Sequence, residues 1–222
     1  MTKFAFVNLL TLGRAPLVLA GCAFSLANLA RPHPAWVAAA VAALALSALT
    51  DLFDGALARK WGVASRFGAL ADPLMDKVFY LSSLPVATFV ALWCEQPGHA
   101  AALLALDVVS LLRDQWVSFL RSVGSAYGAD VRASWSGKIR TIVGFPAIVA
   151  VHAWLGASVL ALSRPGCEAL RLPPVAAPVA LEAVLLAVTV WSCLDYTRRY
   201  APYLKKAAAP AASAEATAPG GK

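Results

Sequence analysis

Four carboxylates decide what chemistry this chain could do. Asp51 and Asp54 lie three positions apart, and Asp72 and Asp76 four apart, within TDLFDGALARKWGVASRFGALADPLMDK, Thr50 to Lys77. On a helix either spacing puts both carboxylates of a pair on one face. Two such faces turned together would make a four-carboxylate cage. The surrounding sequence is apolar, and a lone carboxylate at membrane depth costs at least ~2.5 kcal/mol. Four clustered carboxylates demand compensating charge, and hard divalent cations favour oxygen ligands, so the cluster is expected to be a metal site.

The neighbouring residues suit a metal-bound diphosphate. Gly55 and Ala58 remove side-chain bulk beside the first pair, and Gly68, four residues before Asp72, again permits close approach. Arg59 places a guanidinium at the mouth, where it can hold a phosphate through two hydrogen bonds.

Composition sets the setting for this chemistry. Of 222 residues 60% are hydrophobic and only 14% charged, with a mean hydropathy of +0.68, which is too apolar for an ordinary soluble domain. The net charge of +7 sits in short basic segments beside apolar runs, a membrane-topology pattern rather than a nucleic-acid-binding face. Cys22, Cys94, Cys167 and Cys193 show no CxxC spacing, so neither a zinc site nor a disulfide framework is expected.

The elements that must position the carboxylates are six apolar spans, an all-α polytopic membrane fold with a polar cavity open to the cytoplasm. An amphipathic start leads into a first helix near Ala15; LAGC at Leu19 to Cys22 resembles a lipoprotein cleavage box, but too few apolar residues separate it from Arg14 for a signal segment. The second span runs from about Ala35 into Ala58 and the third from near Arg66 to about Trp93, joined by a short basic turn at Arg59 to Gly62. Both aspartate pairs therefore meet on one side of the membrane. A fourth helix, about Ala100 to Val123, carries Asp107, Arg113, Asp114 and Arg121, which should face a cavity and not lipid. A Gly/Ser/Arg linker, Gly124 to Arg140, precedes a fifth span to about Leu162, and a sixth runs from about Val175 to Leu194. One domain is expected over residues 1–206, followed by a disordered Ala/Pro/Gly tail over 207–222.

Lysine and arginine asymmetry predicts that both termini and the carboxylates are cytoplasmic. Lys3, Arg14, Arg59, Lys60, Arg66, Arg121, Arg132, Lys138, Arg140 and the basic tail fall on one side, with Arg31, Arg164 and Arg171 opposite. His33, His99 and His152 lie far from the cluster, and Trp36, Trp93, Trp154 and Trp191 near span ends fit an interfacial belt.

The eight residues Asp51, Asp54, Gly55, Ala58, Arg59, Gly68, Asp72 and Asp76 reproduce D-x2-D-G-x2-A-R-x8-G-x3-D-x3-D, a pattern that resembles the signature of the CDP-alcohol phosphotransferases. The resemblance extends over roughly residues 5 to 145. NLLTLGRAPLV at Asn8 to Val18, Arg113, Asp114, Leu120 and Arg121 in the fourth helix, and ASWSGKIRT at Ala133 to Thr141 are similar to segments of the bacterial phosphatidylglycerophosphate synthases. Asp114 stands where that group usually has glutamate, and Arg140 where lysine is common; both keep the charge.

That resemblance implies a phosphatidyl transfer from CDP-diacylglycerol to glycerol 3-phosphate with release of CMP, in a bacterial inner membrane. It implies one or two Mg2+ or Mn2+ ions held by Asp51, Asp54, Asp72 and Asp76, with Asp76 also the base that takes the acceptor's proton. Gly55, Ala58, Arg59 and Gly68 would contact the CDP moiety. Arg113, Arg121, Lys138 and Arg140 would form a basic set for the acceptor phosphate, and family members resemble homodimers.

Other readings stay open on the residues alone. The same signature serves transferases with inositol phosphate, phosphatidylglycerol or serine as acceptor. A divalent-cation transporter also needs intramembrane carboxylates, yet it predicts polar residues along a path to the opposite side. Here AWVAAAVAALALSAL and LSSLPVATFVALW offer only serines, a threonine and tryptophans there, as in a one-sided pocket.

Overall fold

Long apolar runs with no water to satisfy their backbone must form helices, and the whole bundle follows from that constraint. The computed structural model describes residues 2–63, 65–132, 134–163 and 172–209, and among them all regular structure is helical. The six helices are α1 (Lys3–Ala30), α2 (Pro34–Trp61), α3 (Arg66–Trp93), α4 (Pro97–Ala126), α5 (Trp135–Ser163) and α6 (Ala176–Ala208). Five are long and apolar enough to cross a membrane; α4, with its four charged residues, is not among those five but is equally long at 30 residues.

Several boundaries differ from expectation. The first helix starts at Lys3, so the amphipathic start and the apolar segment are one helix, with LAGC in its middle. α5 begins at Trp135, which puts Lys138 and Arg140 on its first turns and not in a linker. Ser134 organises that start: its Oγ accepts from the Gly137 N–H at 3.2 Å. α6 runs to Ala208, so Arg198, Arg199, Lys205 and Lys206 are helical. Residues 210–222 of the expected tail, Ala133, Arg164, Cys167 and Arg171 lie outside the described residues.

Cross-helix contacts show an up-and-down arrangement. At one end Asn28 of α1 donates to the Gly156 carbonyl of α5 at 3.1 Å, and His99 of α4 meets Glu182 of α6 at 2.7 Å. At the other end the start of α1 meets the end of α2 and the first turns of α3, where the carboxylates lie. The core runs along α3 and α5, with Phe79 and Phe145 rings 4.4 Å apart and Leu84, Leu103, Ile148, Leu155 and Leu185 buried around them. Leu9, Leu112, Phe89, Ile142 and Leu194 are exposed, an apolar exterior that lipid covers.

The α2–α3 hairpin sets the depth of the carboxylates. Gly62 closes α2 in the left-handed conformation at φ 64°, its N–H bonded back to Ala58 and Arg59 carbonyls, and the Ser65 hydroxyl caps α3 by accepting from the Gly68 N–H at 3.0 Å. Asp51 and Asp76 each lie ten residues from the hairpin end of their helix, Asp54 and Asp72 seven and six. At 1.5 Å rise per residue this pairs Asp51 with Asp76 about 15 Å deep, and Asp54 with Asp72 about 10 Å deep.

Candidate active site

α1 supplies the groups that tie these two levels together. The buried Arg14 guanidinium reaches across to α2 and α3, with Nη1 2.6 Å from Asp51 Oδ1 and Nη2 2.8 Å from Asp76 Oδ1. One turn earlier, the Thr11 hydroxyl donates to Asp54 Oδ2 at 2.9 Å. Asp54 is only 3% exposed. Among the described residues, Arg14 is the only cation within ion-pair distance of any of the four aspartates.

Two cavities open on this cluster and meet at Asp72. The smaller, about 150 Å³, is lined by Asn8 and Thr11 of α1, by Asp54, Gly55, Ala58 and Arg59 of α2, and by Ser65, Gly68 and Asp72 of α3. The four residues expected around a CDP group are thus gathered in one place. A methyl added at Gly68 would sit 3.3 Å from Ser65 Oγ, a tight contact, whereas one at Gly55 would meet an Arg59 nitrogen at an ordinary 3.4 Å.

The larger cavity, about 340 Å³, lies on the opposite side of Asp72. Asp72, Asp76 and Lys77 of α3 line it with Arg113, Asp114 and Arg121 of α4, Lys138 and Arg140 of α5, and Tyr196 of α6. All four cations expected around an acceptor phosphate are here, in two different conditions. Arg113 and Arg140 are buried and converge on Asp114: Arg113 Nη1 donates to Oδ1 at 2.8 Å, and Arg140 Nη2 to Oδ2 at 3.3 Å. Each also lies on an aromatic face, Arg113 5.3 Å from the Tyr196 ring centre and Arg140 4.1 Å from that of Tyr80. Arg121 is half-buried, with Nε donating to the Val131 carbonyl at 3.1 Å, and Lys138 is exposed beside Trp135.

A cavity lined by small residues and Arg59 thus lies beside one rich in cations, with Asp72 lining both. The sequence pattern of the CDP-alcohol phosphatidyltransferases matches residues 4–193. The chain belongs to that family. Two bacterial proteins show the likeness further, both named CDP-diacylglycerol–glycerol-3-phosphate 3-phosphatidyltransferase. The one from Escherichia coli (strain K12) is 32% identical over 160 residues, covering 71% of this chain and 76% of its own length. The one from Salmonella typhimurium (strain LT2) is 33% identical over 153 residues, covering 68% and 72%.

As a CDP-alcohol phosphatidyltransferase, the protein is a transferase of phospholipid biosynthesis, and its apolar helices make it a multi-pass membrane protein. The expected cage is not closed: among the described residues no three acidic, imidazole or thiol groups stand together as a ready ligand set. Arg14 accounts for this, because its guanidinium already engages Asp51 and Asp76. The donor set still fits a divalent ion. Of the four carboxylates only Asp51 and Asp76 meet a guanidinium among the described residues, which leaves excess negative charge and hard oxygen donors, the chemistry that Mg2+ and Mn2+ take.

Sequence reasoning passed over Arg14, Thr11 and Lys77 of this phosphatidyltransferase. Arg14 was legible as a charge inside an apolar span, a position that calls for a buried partner. Lys77 gave no comparable signal: its Nζ donates to Ser118 Oγ at 3.0 Å, a contact set only by how α3 and α4 pack.

Proposed function

We propose that this enzyme transfers the phosphatidyl group of CDP-diacylglycerol to the hydroxyl of glycerol 3-phosphate, releasing CMP. The observation that carries this reading is Asp72, which lines both cavities, so that two substrates placed in them would meet at one carboxylate. The names of the bacterial relatives support the same donor and acceptor.

In this account Gly55, Ala58 and Gly68 admit the CDP moiety into the smaller cavity, and Arg59 holds a phosphate oxygen at its mouth. The acceptor enters the cationic cavity, its phosphate drawn by Arg121, Lys138 and Lys77 at the rim and by Arg113 and Arg140 deeper in. Asp114 keeps those two arginines aimed into the cavity. The acceptor hydroxyl then faces Asp76. Its oxygen bonds to the lipid-bearing phosphorus, the bond to the CMP oxygen breaks, and the hydroxyl proton passes to Asp76. One or two Mg2+ or Mn2+ ions held by Asp51, Asp54, Asp72 and Asp76 would neutralise the diphosphate and the charge growing on CMP.

The setting follows from the same reading. Basic residues at the carboxylate end support a cytoplasmic location for that end and both termini, with the helices in a bacterial inner membrane. The diacyl chains stay in lipid. An apolar groove of about 550 Å³ between α2 and α5, lined by Leu49, Ile142, Phe145 and Val149, suits one of them. The working form is a homodimer, as the family resemblance implies.

The test is CMP release by purified protein from CDP-diacylglycerol with Mg2+ or Mn2+, offering glycerol 3-phosphate, inositol phosphate, inositol, serine and phosphatidylglycerol separately. Release with glycerol 3-phosphate alone is expected. Release only with another acceptor would overturn the acceptor assignment and keep the chemistry.

A further inference from the structure

Arg14 is among the largest fully buried side chains of the protein, at 1% exposure, and its guanidinium lies between Asp51 and Asp76, two of the proposed metal ligands. Its two terminal nitrogens take one oxygen each from carboxylates on different helices, at 2.6 Å and 2.8 Å. Among the described residues its Nε and Nη1 have no hydrogen-bond partner, so Nη1 meets Asp51 as an ion pair only, and the guanidinium lies 5.7 Å from the Phe145 ring centre. A buried arginine with an unsatisfied nitrogen is held chiefly by its two ion pairs, not by a completed polar network. Its main chain is fixed independently, since the Arg14 carbonyl accepts from Ser47 Oγ of α2 at 3.4 Å.

We propose that Arg14 is a built-in counter-cation that competes with the divalent ion for Asp51 Oδ1 and Asp76 Oδ1. This rests on the metal reading of the four aspartates. Without metal, the guanidinium neutralises part of the cluster and keeps α1, α2 and α3 together at the site end. When metal binds, those two oxygens are shared with or surrendered by Arg14, so the ion is held less tightly than four free carboxylates would hold it. Arg14 is thus a positioning residue, which sets metal affinity by occupying ligand oxygens.

The test measures Mn2+ binding by the loss of the free-ion paramagnetic resonance signal, together with thermal melting with and without Mn2+, on detergent-purified wild type, Arg14→Gln, Arg14→Lys and Asp72→Asn, no substrate being present. Arg14→Gln should bind Mn2+ roughly tenfold or more tightly, the scale expected when a unit charge is removed from beside a divalent ion. Its metal-free form should melt below wild type, with Mn2+ restoring the difference. Arg14→Lys, a point charge that can serve only one of the two carboxylates, should fall between them in both readouts.

Equal or weaker Mn2+ binding by Arg14→Gln overturns the proposal. If that variant aggregates, Arg14→Lys decides: tighter Mn2+ binding supports the proposal and unchanged binding overturns it. A wild type that binds no Mn2+, or whose binding is untouched by Asp72→Asn, contradicts the metal reading itself, a result distinct from any change confined to the Arg14 variants.

Discussion

The Thr11 hydroxyl of α1 donates to Asp54 Oδ2 of α2 at 2.9 Å, across 43 positions of sequence. Asp54 makes no ion pair among the described residues, so this bond is the polar contact that α1 gives its buried carboxylate. Thr11→Val keeps the shape and removes the donor. Leaving a buried acceptor unpaired costs about 1–3 kcal/mol, read as a lower melting temperature of the metal-free protein. If Asp54 holds metal as proposed, loss of the hydrogen bond behind it should also raise the Mn2+ concentration for half-maximal activity by roughly 10- to 100-fold.

Filling the smaller cavity should act on one substrate only. Ala58 lines it together with Gly55, Arg59 and Gly68. Ala58→Leu should raise KM for CDP-diacylglycerol by about tenfold or more, as lost complementarity of a pocket wall predicts, while KM for the acceptor stays within about twofold. Steady-state kinetics with each substrate varied in turn checks this. Equal effects on both would mean that the two cavities do not serve separate substrates.

The rim cations should show the converse. Lys138 is exposed and Arg121 half-buried at the larger cavity, and neither makes an ion pair among the described residues, Arg121 being tied to the α4–α5 connection through Nε to the Val131 carbonyl. Lys138→Ala and Arg121→Ala should each raise KM for the acceptor by roughly 10-fold or more, the worth of one charge-assisted hydrogen bond. The penalty should shrink as salt screens the rim. Asp114→Asn should behave differently: it strips the counter-charge from two buried arginines, and breaking a buried pair costs about 3–5 kcal/mol, so the loss should appear first in stability.

At the end of the bundle opposite the site, His99 Nε2 and Glu182 Oε1 lie 2.7 Å apart, both side chains buried and Glu182 Oε2 without a partner among the described residues. His99→Ala removes the hydrogen-bond partner of a buried carboxyl group and should destabilise by about 1–3 kcal/mol. Because the pair is remote from both cavities, kcat per folded molecule should not change. A thermal melt paired with a rate normalised to folded protein separates the two effects.

Much of this was legible in the sequence because it follows from local spacing. Asp51 and Asp54, or Asp72 and Asp76, share a face by helical geometry alone, and the turn at Gly62 needs only a left-handed residue. α3 has the bounds its apolar run predicted, Arg66 and Trp93. The starts and ends that slipped, Lys3, Trp61, Trp135 and Ala208, are turns with polar residues that continue a helix beyond the apolar stretch, so that Arg59 and Lys60 are helical and not in the hairpin turn; there hydropathy gives no signal and only cap or packing geometry decides. Gly55, Ala58, Arg59 and Gly68 converge as their motif implied. What could not be read was which cations are engaged: Arg113 and Arg140 differ from Arg121 and Lys138 only through Asp114, Tyr80 and Tyr196, contacts that depend on how α3 to α6 pack.

The central claim, that two phosphate-bearing substrates meet at Asp72, is tested most directly by following labelled glycerol 3-phosphate into solvent-extractable lipid. Wild type and Asp72→Asn would be compared with CDP-diacylglycerol and Mn2+ present or withheld. The account predicts labelled phosphatidylglycerophosphate only from wild type with both present. Equal incorporation by Asp72→Asn, or incorporation by wild type after the divalent ion is chelated away, would contradict it.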